Sequence, residues 1–161
     1  MKILGIDPGS TRVGYGLIEA GNPPKPLKFG ILEITAKKDG KILELGKRFK
    51  ELVNELNPDA IAMEKLFFQT NRKTGIEVAE SRGVMKLIAL ETGKPFFEYG
   101  PREVKQAVTN DGLADKKSVA KMVCRLLGLQ AISGPDDAAD ALAVAITAAS
   151  RYKLDRLTDA S

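Results

Sequence analysis

Ile3-Leu4-Gly5-Ile6-Asp7-Pro8-Gly9-Ser10-Thr11-Arg12-Val13-Gly14-Tyr15-Gly16-Leu17-Ile18 is the stretch that decides the architecture. Two apolar runs, Ile3 to Ile6 and Val13 to Ile18, flank Asp7-Pro8-Gly9-Ser10, whose Pro and Gly favour a tight turn. A third run, Leu27 to Ile34, follows Gly21-Asn22-Pro23-Pro24, so the chain opens as an antiparallel meander of three short strands. The period then changes. From Ile42, the residues Leu45, Phe49, Leu52, Val53 and Leu56 fall three or four apart on one helical face, and Asn57-Pro58 stops that helix. Ala60 to Met63 reads as a buried strand ending at Glu64. A second helical pattern, Ile76, Ala79, Gly83, Val84, Leu87 and Ile88, ends at Gly93, and Pro95 to Tyr99 reads as a further strand. Strand, helix, strand in that order implies a parallel pair joined by a crossover. Pro101 can open another helix, Asp115 caps one running to Gly128, and the last starts near Ser133-Gly134-Pro135 and runs through Asp136 to about Tyr152. The expectation is an α/β domain over residues 1–152, built on a mixed sheet of three antiparallel and then two parallel strands flanked by helices, with a flexible tail over 153–161.

Composition limits the chemistry. A chain of 161 residues and 17.4 kDa, 43% apolar and 29% charged, can bury one core of ordinary globular type. The absence of histidine excludes imidazole acid–base catalysis and nearly every protein zinc site. The single cysteine, Cys124, excludes an intramolecular disulfide and reads as a buried thiol on the inner face of its helix. Carboxylates, Lys, Tyr, Ser and Thr remain, and any metal should be a hard, oxygen-liking cation such as Mg2+ or Mn2+. A net charge of +4 and a pI near 9.1 are compatible with a polyanionic partner. No apolar run approaches the ~18 residues of a membrane span, and Met1 leads straight into a strand with no signal pattern, so a cytoplasmic protein without a membrane partner is expected.

The carboxylates are the informative residues. The final helix reads DDAADALAVAITAAS over residues 136–150, apolar or small on nearly every side. Asp137 and Asp140 share a face, and Asp140 lies a full turn in, among alanines, with no Lys or Arg one turn away. An ionised carboxylate so placed costs several kcal/mol unless a cation arrives. Asp7 ends the first strand and Glu64 ends the Ala60 to Met63 strand. Adjacent strands lie under ~5 Å apart, so if these two are neighbours their acids meet at one sheet edge, where the last helix can bring Asp137 and Asp140. Carboxylates about 4 Å apart repel by roughly 4 kcal/mol at an effective dielectric of 20, and a pair of Mg2+ ions would turn that repulsion into a binding site. Such a metal pair activates a water and stabilises the leaving oxygen of a phosphodiester, and needs no histidine.

Ile3-Leu4-Gly5-Ile6-Asp7-Pro8-Gly9, Arg12-Val13-Gly14-Tyr15-Gly16, Glu64-Lys65-Leu66-Phe67, Ser81-Arg82-Gly83-Val84, Val104-Lys105-Gln106 and Asp137-Ala138-Ala139-Asp140-Ala141-Leu142-Ala143, in that order, resemble the bacterial RuvC family of Holliday junction resolvases. The resemblance runs from residue 1 to about 152. It implies a ribonuclease H-like fold and a homodimer that resolves four-way DNA junctions in recombination and repair. The implied chemistry is Mg2+-dependent hydrolysis of two opposed strands, with Mn2+ able to substitute and two ions per site, leaving 5′-phosphate and 3′-hydroxyl ends. A branch-migration motor is the implied partner complex.

Carried over residue by residue, the family's acidic positions match Asp7, Glu64, Asp137 and Asp140, and its lysines near the scissile strand match Lys105 and Lys116. Lys116 and Lys117 stand at the start of a helix, where the dipole disfavours cations, and a nearby phosphate would resolve that mismatch. Asp136, adjacent to the motif, should point away from the metals. Phe67 and Phe68 precede the polar stretch Gln69 to Thr74, where one ring can stack on or wedge against an unpaired base, and the resemblance favours Phe67. Arg72, Lys73, Arg82 and Lys86, on or next to the helix from Ile76 to Leu90, are expected phosphate contacts together with the Lys37 to Lys50 cluster, and that helix is the candidate dimer interface. Two other classes fit less. Asp7-Pro8-Gly9-Ser10-Thr11 is similar to the first phosphate loop of actin-like and sugar-kinase ATPases, but those need two lobes and a second such loop. A catalytically silent junction-binding protein would have no use for the full acidic set.

Overall fold

The computed structural model describes the backbone of residues 1–66 and 72–159 and the side chains of residues 1–66 and 73–152. The meander forms β1 (Lys2–Asp7), β2 (Arg12–Glu19) and β3 (Lys25–Glu33). Helix α1 (Gly40–Leu56) follows, ending where Asn57 takes a left-handed conformation (φ 40°). Then come β4 (Ala60–Glu64), α2 (Arg72–Glu91), β5 (Phe96–Tyr99), α3 (Pro101–Thr109), α4 (Lys116–Leu127) and α5 (Asp137–Asp159). The sheet order is β3-β2-β1-β4-β5, with β1 antiparallel to β2, β2 antiparallel to β3, and the β1/β4 and β4/β5 pairs parallel. This is the mixed sheet expected, and it makes β1 and β4 neighbours.

Strand alternation divides the interior into two layers. Leu4, Ile6, Val13, Leu17, Ile61 and Met63 point to the side covered by α1 and α2, where Leu45, Phe49, Met85 and Ile88 meet them. Ile3, Ile18, Ala60 and Ala62 point to the side covered by α3, α4 and α5. By the same period of two, Asp7 follows Ile3 and Gly5 onto the α5 side, and Glu64 follows Ala60 and Ala62 onto it.

Three glycines let α5 settle unusually close to the sheet. A Cβ on Gly5 would lie 2.1 Å from the Ala141 carbonyl oxygen and 2.6 Å from the Ala145 nitrogen; on Gly14, 2.0 Å from the Asp137 carbonyl oxygen; on Gly16, 2.7 Å from Leu142 Cδ2. The helix answers with Ala138, Ala139, Ala141, Ala143, Ala145 and Ala148, all buried. Main chain therefore rests almost directly on main chain. Short side chains on both partners are what the alanine-rich sequence supplies.

Three details differ from the expectation. Helix α5 starts at Asp137, because Gly134 (φ 95°) and Pro135 keep the preceding turn out of helical conformation, and the Asp136 carbonyl oxygen accepts the Asp140 N–H at 2.9 Å. It continues past Tyr152 to Asp159 over residues that contain no Gly or Pro. Cys124 is half-buried, since the face of α4 that packs inward is Val119, Val123 and Leu127, four apart, and Cys124 lies one step off it.

Candidate active site

Asp7 and Glu64 each lie one residue beyond the last registered β1/β4 pair, Ile6 with Met63, at the carboxyl ends of adjacent parallel strands. Asp7 is paired across β2 with Gly14, and Gly14 is the residue on which the Asp137 backbone rests. Asp137 and Asp140 thus arrive in the first turn of α5 above the same edge. A cavity of about 260 Å³ opens there, lined by Glu64, Asp140, Lys105 and Lys116, with Val104 and Val119 in its walls. Helix α3 carries Lys105 to it by starting at Pro101, directly after β5, with Glu103 accepting the Gly100 N–H at 2.7 Å. Helix α4 carries Lys116 to it from the Asp115 cap, whose carboxylate accepts the Ser118 N–H at 2.7 Å.

The electrostatics show how strained the carboxylates are. Burial, then Asp140, Glu64 and Asp137, push Asp7 up to about 8. Burial and the Asp140 charge push Glu64 up to about 7, against the opposing pull of Lys116 and Lys105. Asp140 is also raised, by burial first, while its hydrogen bond and ion pair with Lys116 act the other way. Lys116 Nζ lies 3.1 Å from Asp140 and 3.7 Å from Asp136, and Arg12 Nε lies 3.4 Å from Asp137. These cations relieve part of the like-charge repulsion. Asp136 is 76% exposed and turned outward, as expected, although Lys116 reaches it.

The four acids converge on one rim, but as they stand no three carboxylates among the described residues come close enough together to hold an ion. The tighter cluster expected from the sequence is not formed; Lys116 stands against Asp140 and Arg12 against Asp137. The donor set still fits a hard divalent cation. It is all oxygen and partly withdrawn from water, and burial first and the neighbouring acids second hold Asp7 and Glu64 at raised pKa.

Other expected contacts distribute differently. Lys73 is exposed in the first turn of α2. Phe67 and Phe68 lie outside the described residues, as does the side chain of Arg72. Arg82, expected on phosphates, is only 18% exposed and is engaged inside the fold: its Nε donates to the Glu64 carbonyl oxygen at 3.2 Å and its guanidinium pairs with Glu98. The roles of Arg12 and Glu98 have no signal in the sequence. Their partners are remote along the chain, and no periodicity announces such a pair.

The family model described as crossover junction endodeoxyribonuclease RuvC matches residues 3–148. The chain belongs to the RuvC family. The crossover junction endodeoxyribonuclease RuvC of Syntrophomonas wolfei is 45% identical over 100% of this chain and 95% of its own length, and that of Moorella thermoacetica 46% identical over 93% and 92%. Among solved structures, Thermus thermophilus RuvC superposes with a TM-score of 0.87 at 31% identity, covering 96% of this chain and 97% of that one. The same Thermus RuvC bound to a Holliday junction substrate superposes at 0.84, with 30% identity and 96% coverage of each chain. RuvC nucleases depend on a divalent metal. Among the described residues no helix is long and apolar enough to cross a membrane.

Proposed function

We propose that this chain resolves Holliday junctions in recombination and repair, as a structure-selective endonuclease that hydrolyses phosphodiesters symmetrically in two opposed strands and leaves 5′-phosphate and 3′-hydroxyl ends. The observation that carries this reading is the cavity that sets Glu64 and Asp140 against Lys105 and Lys116, with Asp7 and Asp137 close enough to act on the same charges, in a RuvC-family fold. These four acids would hold the metal, Mg2+ or in its place Mn2+, two ions per site. Bound there, the cations supply activation of a water and stabilisation of the leaving oxygen. The chain's own contribution is placement. Lys105 and Lys116 draw a phosphate into the cavity, and the apolar wall of Val104 and Val119 limits water around it. Phe67 or Phe68 stacks on a base at the crossover, and Arg72 and Lys73 track the backbone.

The test is a labelled synthetic four-way junction incubated with the protein in Mg2+ or in chelator. Paired nicks in opposed strands with Mg2+ alone are expected. Cleavage that persists in chelator, or none in either, would refute the proposal.

A homodimer supplies the two sites that opposed cuts require. Its surface is the outer stripe of α2, where Ile76, Leu87 and Leu90 are each more than half exposed and Gly83 has open space around it. A glycine inside a helix costs about 1 kcal/mol relative to alanine, and close approach of a second copy gives it a reason. Leu87→Glu is expected to convert the dimer to monomer by sedimentation velocity; a monomeric wild type at micromolar concentration removes the dimer. The cytoplasm is the proposed compartment and a branch-migration motor the proposed partner.

A further inference from the structure

The peptide unit joining Glu64 to Lys65 is held at both ends. Its N–H, on Lys65, donates to the Tyr99 carbonyl oxygen at 2.8 Å, a link between the ends of β4 and β5. Its C=O, on Glu64, accepts from Arg82 Nε at 3.2 Å. Arg82 reaches it from α2 and is itself gripped by Glu98 of β5, whose second oxygen takes Lys86 Nζ at 2.8 Å. The network is mostly withdrawn from water, Arg82 being 18% and Glu98 23% exposed. A planar fork that spends one edge on a carboxylate and another N–H on a carbonyl fixes orientation in a way a lysine cannot.

Position gives this network a purpose. Glu64 is the last residue of its strand, where the ladder no longer holds the main chain on both sides, and it is one of the acids proposed to hold metal. We infer that Arg82 is a positioning residue for that site: braced by Glu98, it clamps the Glu64 carbonyl and so sets where the Glu64 carboxylate stands. It acts through main chain rather than on the substrate. The inference rests on the metal-dependent nuclease reading, and it deepens that reading by assigning a half-buried arginine to metal affinity instead of DNA affinity. Supports of this kind typically alter metal affinity or rate by about 10–100-fold when removed.

The full-length chain and Arg82→Gln, Arg82→Lys and Glu98→Gln would be compared in three measurements: junction turnover against Mg2+, junction Kd in chelator, and the rise in Tm on titrating Mn2+ without DNA. For Arg82→Gln the expected result is a kcat lower by about 10–100-fold, a half-saturating metal concentration higher by about 10-fold in both titrations, and a junction Kd within about twofold of wild type. Glu98→Gln should move the same quantities the same way by less, and Arg82→Lys should restore little. Three results overturn the inference: unchanged metal titrations in a folded Arg82→Gln; a loss confined to junction Kd and its salt dependence, which would make Arg82 a phosphate contact; or a lower metal-free Tm with no movement of the metal midpoint. If Arg82→Gln does not fold, wild-type metal midpoints in both Arg82→Lys and Glu98→Gln overturn it equally. A wild type that neither cleaves nor responds to divalent cations would instead remove the nuclease reading, and this inference with it.

Discussion

Asp7→Asn is expected to abolish junction cleavage, lowering the rate by roughly a thousand-fold or more, about 4 kcal/mol of transition-state stabilisation, while leaving junction affinity within about twofold. The substitution is nearly isosteric and removes one negative charge. That charge stands between Glu64 and Asp137, at the end of β1 on the face that meets α5. The residues proposed to attract DNA lie on other elements: Lys105 on α3, Lys116 on α4, and Arg72 and Lys73 at the start of α2. Binding and hydrolysis should therefore separate. Single-turnover cleavage with Mg2+, paired with gel-shift affinity in chelator, makes the comparison. Loss of both together would mean that Asp7 shapes the fold rather than the chemistry.

The same substitution should stabilise the metal-free protein. Asp7 is raised from an ordinary value near 3.8 to about 8, so between those pH values the native state holds a proton that the unfolded chain has released. The contribution of Asp7 to wild-type stability is then expected to fall as pH rises from about 4 to about 8, with its full penalty present above that window. An asparagine has no proton to lose. In chelator at pH 8.5, Asp7→Asn is expected to be more stable than wild type by about 2 kcal/mol, a fraction of the full shift because neighbouring acids readjust. At pH 4 the difference should vanish. Urea unfolding at the two pH values decides it, and equal stability at pH 8.5 would show that Asp7 is not the strained carboxylate described above.

Much of the fold and of the acidic rim is legible in the amino-acid sequence, because it rests on local periodicity. The alternation Ile3, Gly5, Asp7 and Ala60, Ala62, Glu64 places both strand acids on one side, and the i, i+3 spacing of Asp137 and Asp140 puts both helix acids on one face. Only the adjacency of β1 and β4 comes from the three-dimensional arrangement. What the sequence does not announce depends on contacts between remote segments. Nothing near Asp140 along the chain forecasts Lys116 against it, nothing near Asp137 forecasts Arg12, and Arg82 looks like any surface cation of an amphipathic helix until Glu98 is seen beside it. The start of α5 differs from expectation for a smaller reason: Ser133-Gly134-Pro135 has the composition of a helix entry, and only the backbone angle at Gly134 shows that the helix waits until Asp137.

The seat of α5 on Gly5, Gly14 and Gly16 has a consequence for how such a molecule can change over time. On the α1 and α2 side, branched and aromatic groups interlock, and one shape can be exchanged for another of similar volume. At these three glycines there is no room for a single added methyl, so the spacing between the acids proposed to hold metal is inherited from the polypeptide backbone itself. These three positions should accordingly drift more slowly than the side chains around them, and a designer wishing to harden this protein has latitude everywhere in the core but there.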